Sequence, residues 1–192
     1  MNAIELFWAI HQLSLRDWTS LRLYIHRAPE KEVWLFMRLV SGHYWYPRTP
    51  PSILLRAAAQ LAHLPEALLV QSARETGDTA EAITLILIPP DRAPTHFLKD
   101  LAHWFLHQLP ALLRSEEHLI ASLSALWPTI SQKEAFFLHK VLLHSAHLPA
   151  LRRPAFLLSF LQQRWPLPEN LLLSHFRTRL EPPDNALTPT LF

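Results

Sequence analysis

The 192-residue chain sets 18 Lys and Arg against 16 Asp and Glu, a formal net charge of +2, and 49% of its residues are hydrophobic. That supplies a core for one domain or two packed halves and excludes a disordered polyelectrolyte. Two glycines, Gly42 and Gly77, cannot build a P-loop or a dinucleotide-binding turn, and the lack of cysteine excludes disulfides, thiolate zinc sites and cysteine nucleophiles. Residues 1–5 lack the basic start of a signal peptide, and the longest apolar runs, such as Leu171-Leu172-Leu173, are too short to span a bilayer. The expectation is a soluble, cytoplasmic protein with no membrane partner.

Apolar residues recur at helical spacing almost throughout, which predicts an all-α fold of about ten to twelve short helices. Ile4, Phe7, Trp8 and His11 share one face of a first helix, and Ser14 can cap a second that carries Trp18, Leu21 and Ile25 and stops at Pro29. Residues 30–40 form a third, with Gly42 placed to take the left-handed position just past its end. An aromatic and proline-rich corner follows, Tyr44-Trp45-Tyr46-Pro47-Arg48-Thr49-Pro50-Pro51. Helices resume over 52–62 and 65–75; Gly77 ends the latter, and Asp78 or Thr79 caps the next, which runs to about Leu87. Prolines between 89 and 94 suggest a division into halves of about 1–88 and 95–183. The second half reads as helices over 96–109, 116–126, 132–143, 155–164 and 169–180, and Ser131 with Glu134 forms a capping box. Residues 184–192 have no periodicity and read as a loose tail.

The candidate chemistry is sparse. His103 and His107 stand one helical turn apart, yet no glutamate follows the first, so the zinc-protease pattern is absent. Ser145 lies among His139, His144 and His147 without a nucleophile elbow. With Lys140 before it and Arg152-Arg153 after it, that cluster reads either as a polar helix end facing an anion or as an ordinary solvated one. The junction Thr76-Gly77-Asp78-Thr79-Ala80-Glu81 offers a helix N-terminus to phosphate, but Asp78 competes for the same N–H groups, so a structural junction is the stronger reading. Trp8, Trp18, Trp34, Trp104 and Trp127 fall on apolar faces, whereas Trp45 beside Arg48 could stand exposed and anchor a partner.

Three segments, taken in order, resemble the N-terminal DNA-binding domain of bacterial ATP-dependent DNA ligases. They are Leu35-Phe36-Met37-Arg38-Leu39-Val40-Ser41-Gly42 with Pro51-Ser52-Ile53-Leu54-Leu55-Arg56 after it, then Ser72 through Ile83, then Phe137-Leu138-His139-Lys140-Val141-Leu142-Leu143. The second is similar to the family's Gly-Asp-Leu-(Ala/Gly)-Glu junction and is the most specific. Both glycines of the chain fall at family glycine positions, and the resemblance spans residues 4–180. It implies an all-helical domain that grips duplex or nicked DNA across the minor groove during repair, replication and recombination. It further implies that Gly77, Asp78 and Thr79 hold a junction and that Lys140 reaches phosphate. The 144–149 loop, with His144, Ser145 and His147, would track the backbone, and Arg48, Lys133, Arg152 and Arg153 would add phosphate contacts.

The family loop carries glycines and an arginine where this chain reads His144-Ser145-Ala146-His147-Leu148-Pro149. None of Lys31, Lys99, Lys133 and Lys140 leads into the Lys-x-Asp-Gly of the catalytic domain, so the chain is expected to perform no catalysis alone. ATP and magnesium would belong to that absent domain. The chain ends where the family's linker would begin, which points to a fragment, a split-ligase subunit or a stand-alone relative, working with a catalytic domain or repair subunit in cis or in trans. The other reading is a helical interaction subunit that docks a catalytic DNA-processing partner.

Overall fold

A computed structural model describes residues 2–12, 18–93 and 101–183. Among them the fold is all-α: eleven helices and no strand. In chain order they are α1 (Ala3–Gln12), α2 (Thr19–Arg27), α3 (Glu30–Val40), α4 (Pro51–Ala62), α5 (Glu66–Thr76) and α6 (Thr79–Leu87). Next comes α7, which runs as Leu101–His103, Trp104–Gln108 and Leu109–Leu112; then α8 (Glu116–Leu126), α9 (Gln132–Leu142), α10 (Pro154–Leu161) and α11 (Glu169–Thr178). No described helix is long and apolar enough to cross a membrane. The Ser14 cap, the 96–100 stretch and the 184–192 tail lie outside the described residues.

Two departures from simple helical periodicity have local causes. The middle of α7 widens to π-helix over Trp104–Gln108, with Leu109 N–H donating to Trp104 C=O. Pro110 follows; it lacks an N–H, and its ring crowds the carbonyl four residues back, so the backbone opens by one residue to admit it. After α9 the chain makes a 3-10 turn, Pro149–Arg152, before Pro154 starts α10. The sequence gives only loop signals there.

The chain divides into two compact units: residues 1–44 with 147–192, and residues 45–146. The division does not fall at the prolines of 89–94. Pro89 and Pro90 lie where the chain bends inside the second unit; there Gln132 Nε2 donates to Ile88 C=O at 2.7 Å and Arg92 Nη1 to Trp127 C=O at 2.7 Å. Such bonds fasten both sides of the bend to one core.

The first unit is built around aromatic rings. Trp34 meets Trp165 and Phe176 edge-on at 4.9 and 4.8 Å, all three rings buried. Arg38 is buried as well, and its guanidinium donates to the carbonyls of Phe176, Arg179 (2.8 Å) and Arg177 (3.5 Å) at the end of α11. A helix leaves its last carbonyls without partners, and a cation there also meets the negative end of the dipole. Burial holds the Arg38 pKa below its ordinary value.

In the second unit α6 packs against α4, α5 and α9, and α4 also packs against α8. Helix α9 is the central element: every residue from Glu134 to Leu142 is buried. The capping box expected at its start is present, with Ser131 Oγ and Glu134 exchanging hydrogen bonds. A helix buried all round has no polar face, so its polar side chains must find partners in the core.

Candidate nucleic-acid interface

The junction of α5 and α6 forms as expected. Gly77 takes φ +71 and ends α5, and Asp78 caps α6 through Oδ1, which accepts from Ala80 N at 2.9 Å and Glu81 N at 3.3 Å. A Cβ at Gly77 would meet nothing within 4 Å. Glycine is therefore needed for its backbone conformation and not for space. Thr79 opens the helix, and its neighbour Asp78 fills the N-terminal site that an anion would otherwise take.

The other oxygen of Asp78 accepts from Lys140 Nζ. That ammonium also lies 5.3 Å over the Phe136 ring, and the Lys140 side chain is only 8% exposed against 23% for Asp78. The structure thus places Lys140, expected at phosphate, in an ion pair with Asp78. Its position on α9 points it into the unit, and an ammonium there needs the carboxylate that α6 supplies. Sequence and resemblance had singled out both residues, but not as partners.

Immediately before Lys140 on the same helix, His139 is fully buried and does not belong to a polar surface cluster. Trp127 Nε1 donates to its Nε2 at 2.7 Å, and an indole N–H can only donate. The proton must therefore sit on Nδ1, which donates to Thr84 Oγ1 at 3.0 Å, and Thr84 passes its own proton to Ala80 C=O at 2.7 Å. This ordered chain holds the imidazole neutral. Burial lowers its pKa to about 4, despite the opposing influence of the Ala80 carbonyl and Asp78.

The loop after α9 carries its own surprise. His144 adopts φ +54, with its N–H on Val141 C=O (3.0 Å) and Ser145 N–H on Lys140 C=O (2.8 Å). This is the double bond pattern of a Schellman end, in which glycine is the usual left-handed residue. Gly42 ends α3 in the same way, at φ +85 with its N–H on Leu39 C=O (3.1 Å) and His43 N–H on Arg38 C=O (2.8 Å). The His144 ring meets Tyr46 edge-on at 5.0 Å, and Tyr46 Oη donates to Val141 C=O at 3.1 Å. Burial lowers the His144 pKa, and the nearby Arg48 charge lowers it further. Ser145 Oγ donates to Lys140 C=O at 3.4 Å, so it faces its own helix end.

Arg48 is exposed at the aromatic corner, and Lys133 is exposed in the first turn of α9. Tyr44, Trp45 and Tyr46 are half-buried, with Trp45 edge-on to Phe105 at 5.9 Å, so the corner packs and does not project as a free anchor. The remaining candidates belong to the first unit. There the Cβ of His147 lies 3.6 Å from where a Cβ on Gly42 would stand, an ordinary contact. Leu148 N–H pairs with Val40 C=O at 2.6 Å. Arg152 and Arg153 are exposed on the 3-10 turn and at the start of α10. Arg153 also lines an open groove with Trp18 and Phe156, a feature with no signal in the sequence pattern.

The histidine rings of α7 lie tilted at 43° to each other with centroids 4.9 Å apart. Among the described residues no group of three His, Cys, Asp or Glu side chains could hold a metal ion. No family model, no curated protein and no solved structure matches the chain.

Proposed function

We propose that this helical module binds duplex DNA, nicked duplex included, through its phosphates and without reading sequence. It serves as the non-catalytic clamp of a cytoplasmic ATP-dependent DNA ligase or associated repair complex, with ATP and magnesium handled by a separate catalytic domain. The observation that carries the reading is the state of the five cations singled out for phosphate. Lys140 is consumed by Asp78, but Arg48, Lys133, Arg152 and Arg153 are all exposed and form no ion pair with the described residues. Exposed, unpaired guanidinium and ammonium groups are what phosphate contact requires, and contacts of that kind position a protein without specifying a base. The three segments similar to the ligase domain add the class of nucleic acid.

Fluorescence anisotropy on nicked duplexes of unrelated sequence tests it. Replacing Arg152 and Arg153 together with alanine should weaken every duplex by a similar factor. Loss confined to one sequence, or no binding by the unaltered chain in low salt, rejects the proposal.

The withdrawal of Lys140 from the surface favours a second reading, in which the module docks a catalytic DNA-processing partner. A stoichiometric partner that copurifies with a chain lacking DNA affinity would decide for it.

A further inference from the structure

The segment Pro47-Arg48-Thr49-Pro50 leads into α4, and Thr49 N–H fastens it to the end of α9 through Leu142 C=O at 2.9 Å. The Thr49 residue is 3% exposed, and its Oγ1 finds no hydrogen-bond partner among the described residues. A buried hydroxyl left so destabilises the fold unless something else satisfies it. Thr49 lines an open cavity of about 150 Å³ together with Arg48, Pro50, Ser115 and Glu116.

Two helices begin at this cavity. The 12-residue α4 starts directly after Pro50, and the 11-residue α8 starts after Ser115. Ser115 Oγ accepts from His118 N, which leaves the N–H groups of Glu116 and Glu117 without partners inside the helix. Both helix starts present the positive end of a dipole. Arg48 stands exposed at the rim. One carboxylate, Glu116, opposes an anion, but its Oε1 lies 3.0 Å from Arg56 Nη1, and that guanidinium offsets its charge.

We propose that the cavity is a binding pocket for one phosphate group. Thr49 donates its buried hydroxyl to a phosphate oxygen, the starts of α4 and α8 face the oxyanion, and Arg48 closes on it from the rim. The volume falls below that of small-molecule pockets, which run from roughly 300 Å³ upward, so the site suits a single group and not a whole nucleotide. The group can belong to a phosphomonoester or to a nucleic-acid backbone, and the pocket does not depend on the duplex reading.

The test is a titration of the full chain with inorganic phosphate at constant pH and ionic strength, followed by amide NMR. Shifts should centre on Thr49, Ser52, Glu116 and Glu117. Arg48→Ala and Thr49→Val should each weaken binding about 10-fold, whereas Thr49→Ser should retain it. Thr49→Val should also raise the Tm of the unliganded protein by roughly 2–4 °C, because it removes an unsatisfied hydroxyl. Shifts centred elsewhere, or an affinity unmoved by Arg48→Ala and Thr49→Val, overturn the site.

Two oligonucleotides identify the source. If a strand with a 5′-phosphate shifts the pocket amides and the same strand without it does not, the site takes a monoester; equal shifts assign it to the backbone. Pocket shifts in a chain that fails to bind duplex support the site and reject the duplex reading alone.

Discussion

Asp78 performs two tasks, and they can be separated. Asp78→Ala removes the cap of α6 and strands the Lys140 ammonium, whose side chain is 8% exposed. Loss of a cap costs about 1 kcal/mol. Breaking a buried ion pair from one side costs about 3 kcal/mol, taken at the low end because Asp78 is 23% exposed. The sum is about 4 kcal/mol. Asp78→Asn keeps the cap and loses the charge, so it should cost about 3 kcal/mol. Lys140→Met fills similar space and leaves Asp78 on two backbone N–H groups and partly in water, for about 1 kcal/mol. The double variant Asp78→Asn with Lys140→Met should then cost about 1 kcal/mol, well short of the roughly 4 kcal/mol that independent sites would give. Urea unfolding reads this directly: Asp78→Ala should shift the midpoint by about 2 M if m is about 2 kcal/mol/M. Additive costs in the double variant would show that the pair is not coupled and that Lys140 is a surface residue.

Three further outcomes follow from the same structure. Stability should fall on acidification from pH 6.5 to 4, because the unfolded chain protonates His139 in that window while the folded chain, with its pKa near 4, does not. The loss approaches about 3 kcal/mol, and unfolding curves of a His139→Gln variant should be flatter across that range; an equal slope would contradict the buried neutral imidazole. His63 ends α4 in the left-handed region at φ +55 and is exposed, so His63→Gly should stabilise the protein by about 1 kcal/mol in chemical unfolding. Gly77→Ala should cost about 1–2 kcal/mol from backbone strain alone, since its Cβ meets nothing; a much larger cost would mean that Gly77 is tightly approached.

Helix positions were largely legible because their ends carry local chemistry. Pro29 and Gly42 bracket α3, Asp78 opens α6, and Ser131 with Glu134 opens α9, each acting within four residues of itself. Pairing across the chain was not legible. Asp78 and Lys140 are 62 positions apart, and each read singly looks like a surface charge at a helix end. His139 misled for a related reason: its neighbours His144 and Ser145 suggested a polar cluster, but α9 is enclosed from Glu134 to Leu142, so polarity along that stretch marks internal bonding. The corner at 44–51 gave its aromatic character in the sequence, whereas the Thr49 hydroxyl, which finds no partner among the described residues, shares its cavity with Ser115 and Glu116 at the start of α8, more than sixty residues later.

The central claim is phosphate binding by Arg48, Lys133, Arg152 and Arg153 without Lys140, and the salt dependence of duplex affinity tests it most directly. Four engaged cations predict a slope of log K against log[salt] near −3.6, or about a 100-fold loss of affinity between 50 and 200 mM salt. Lys140→Met should leave that slope unchanged, while Arg152→Ala with Arg153→Ala should reduce its magnitude by about 1.8. A duplex affinity that ignores salt, or a slope that falls with Lys140→Met and not with the arginine pair, would contradict it.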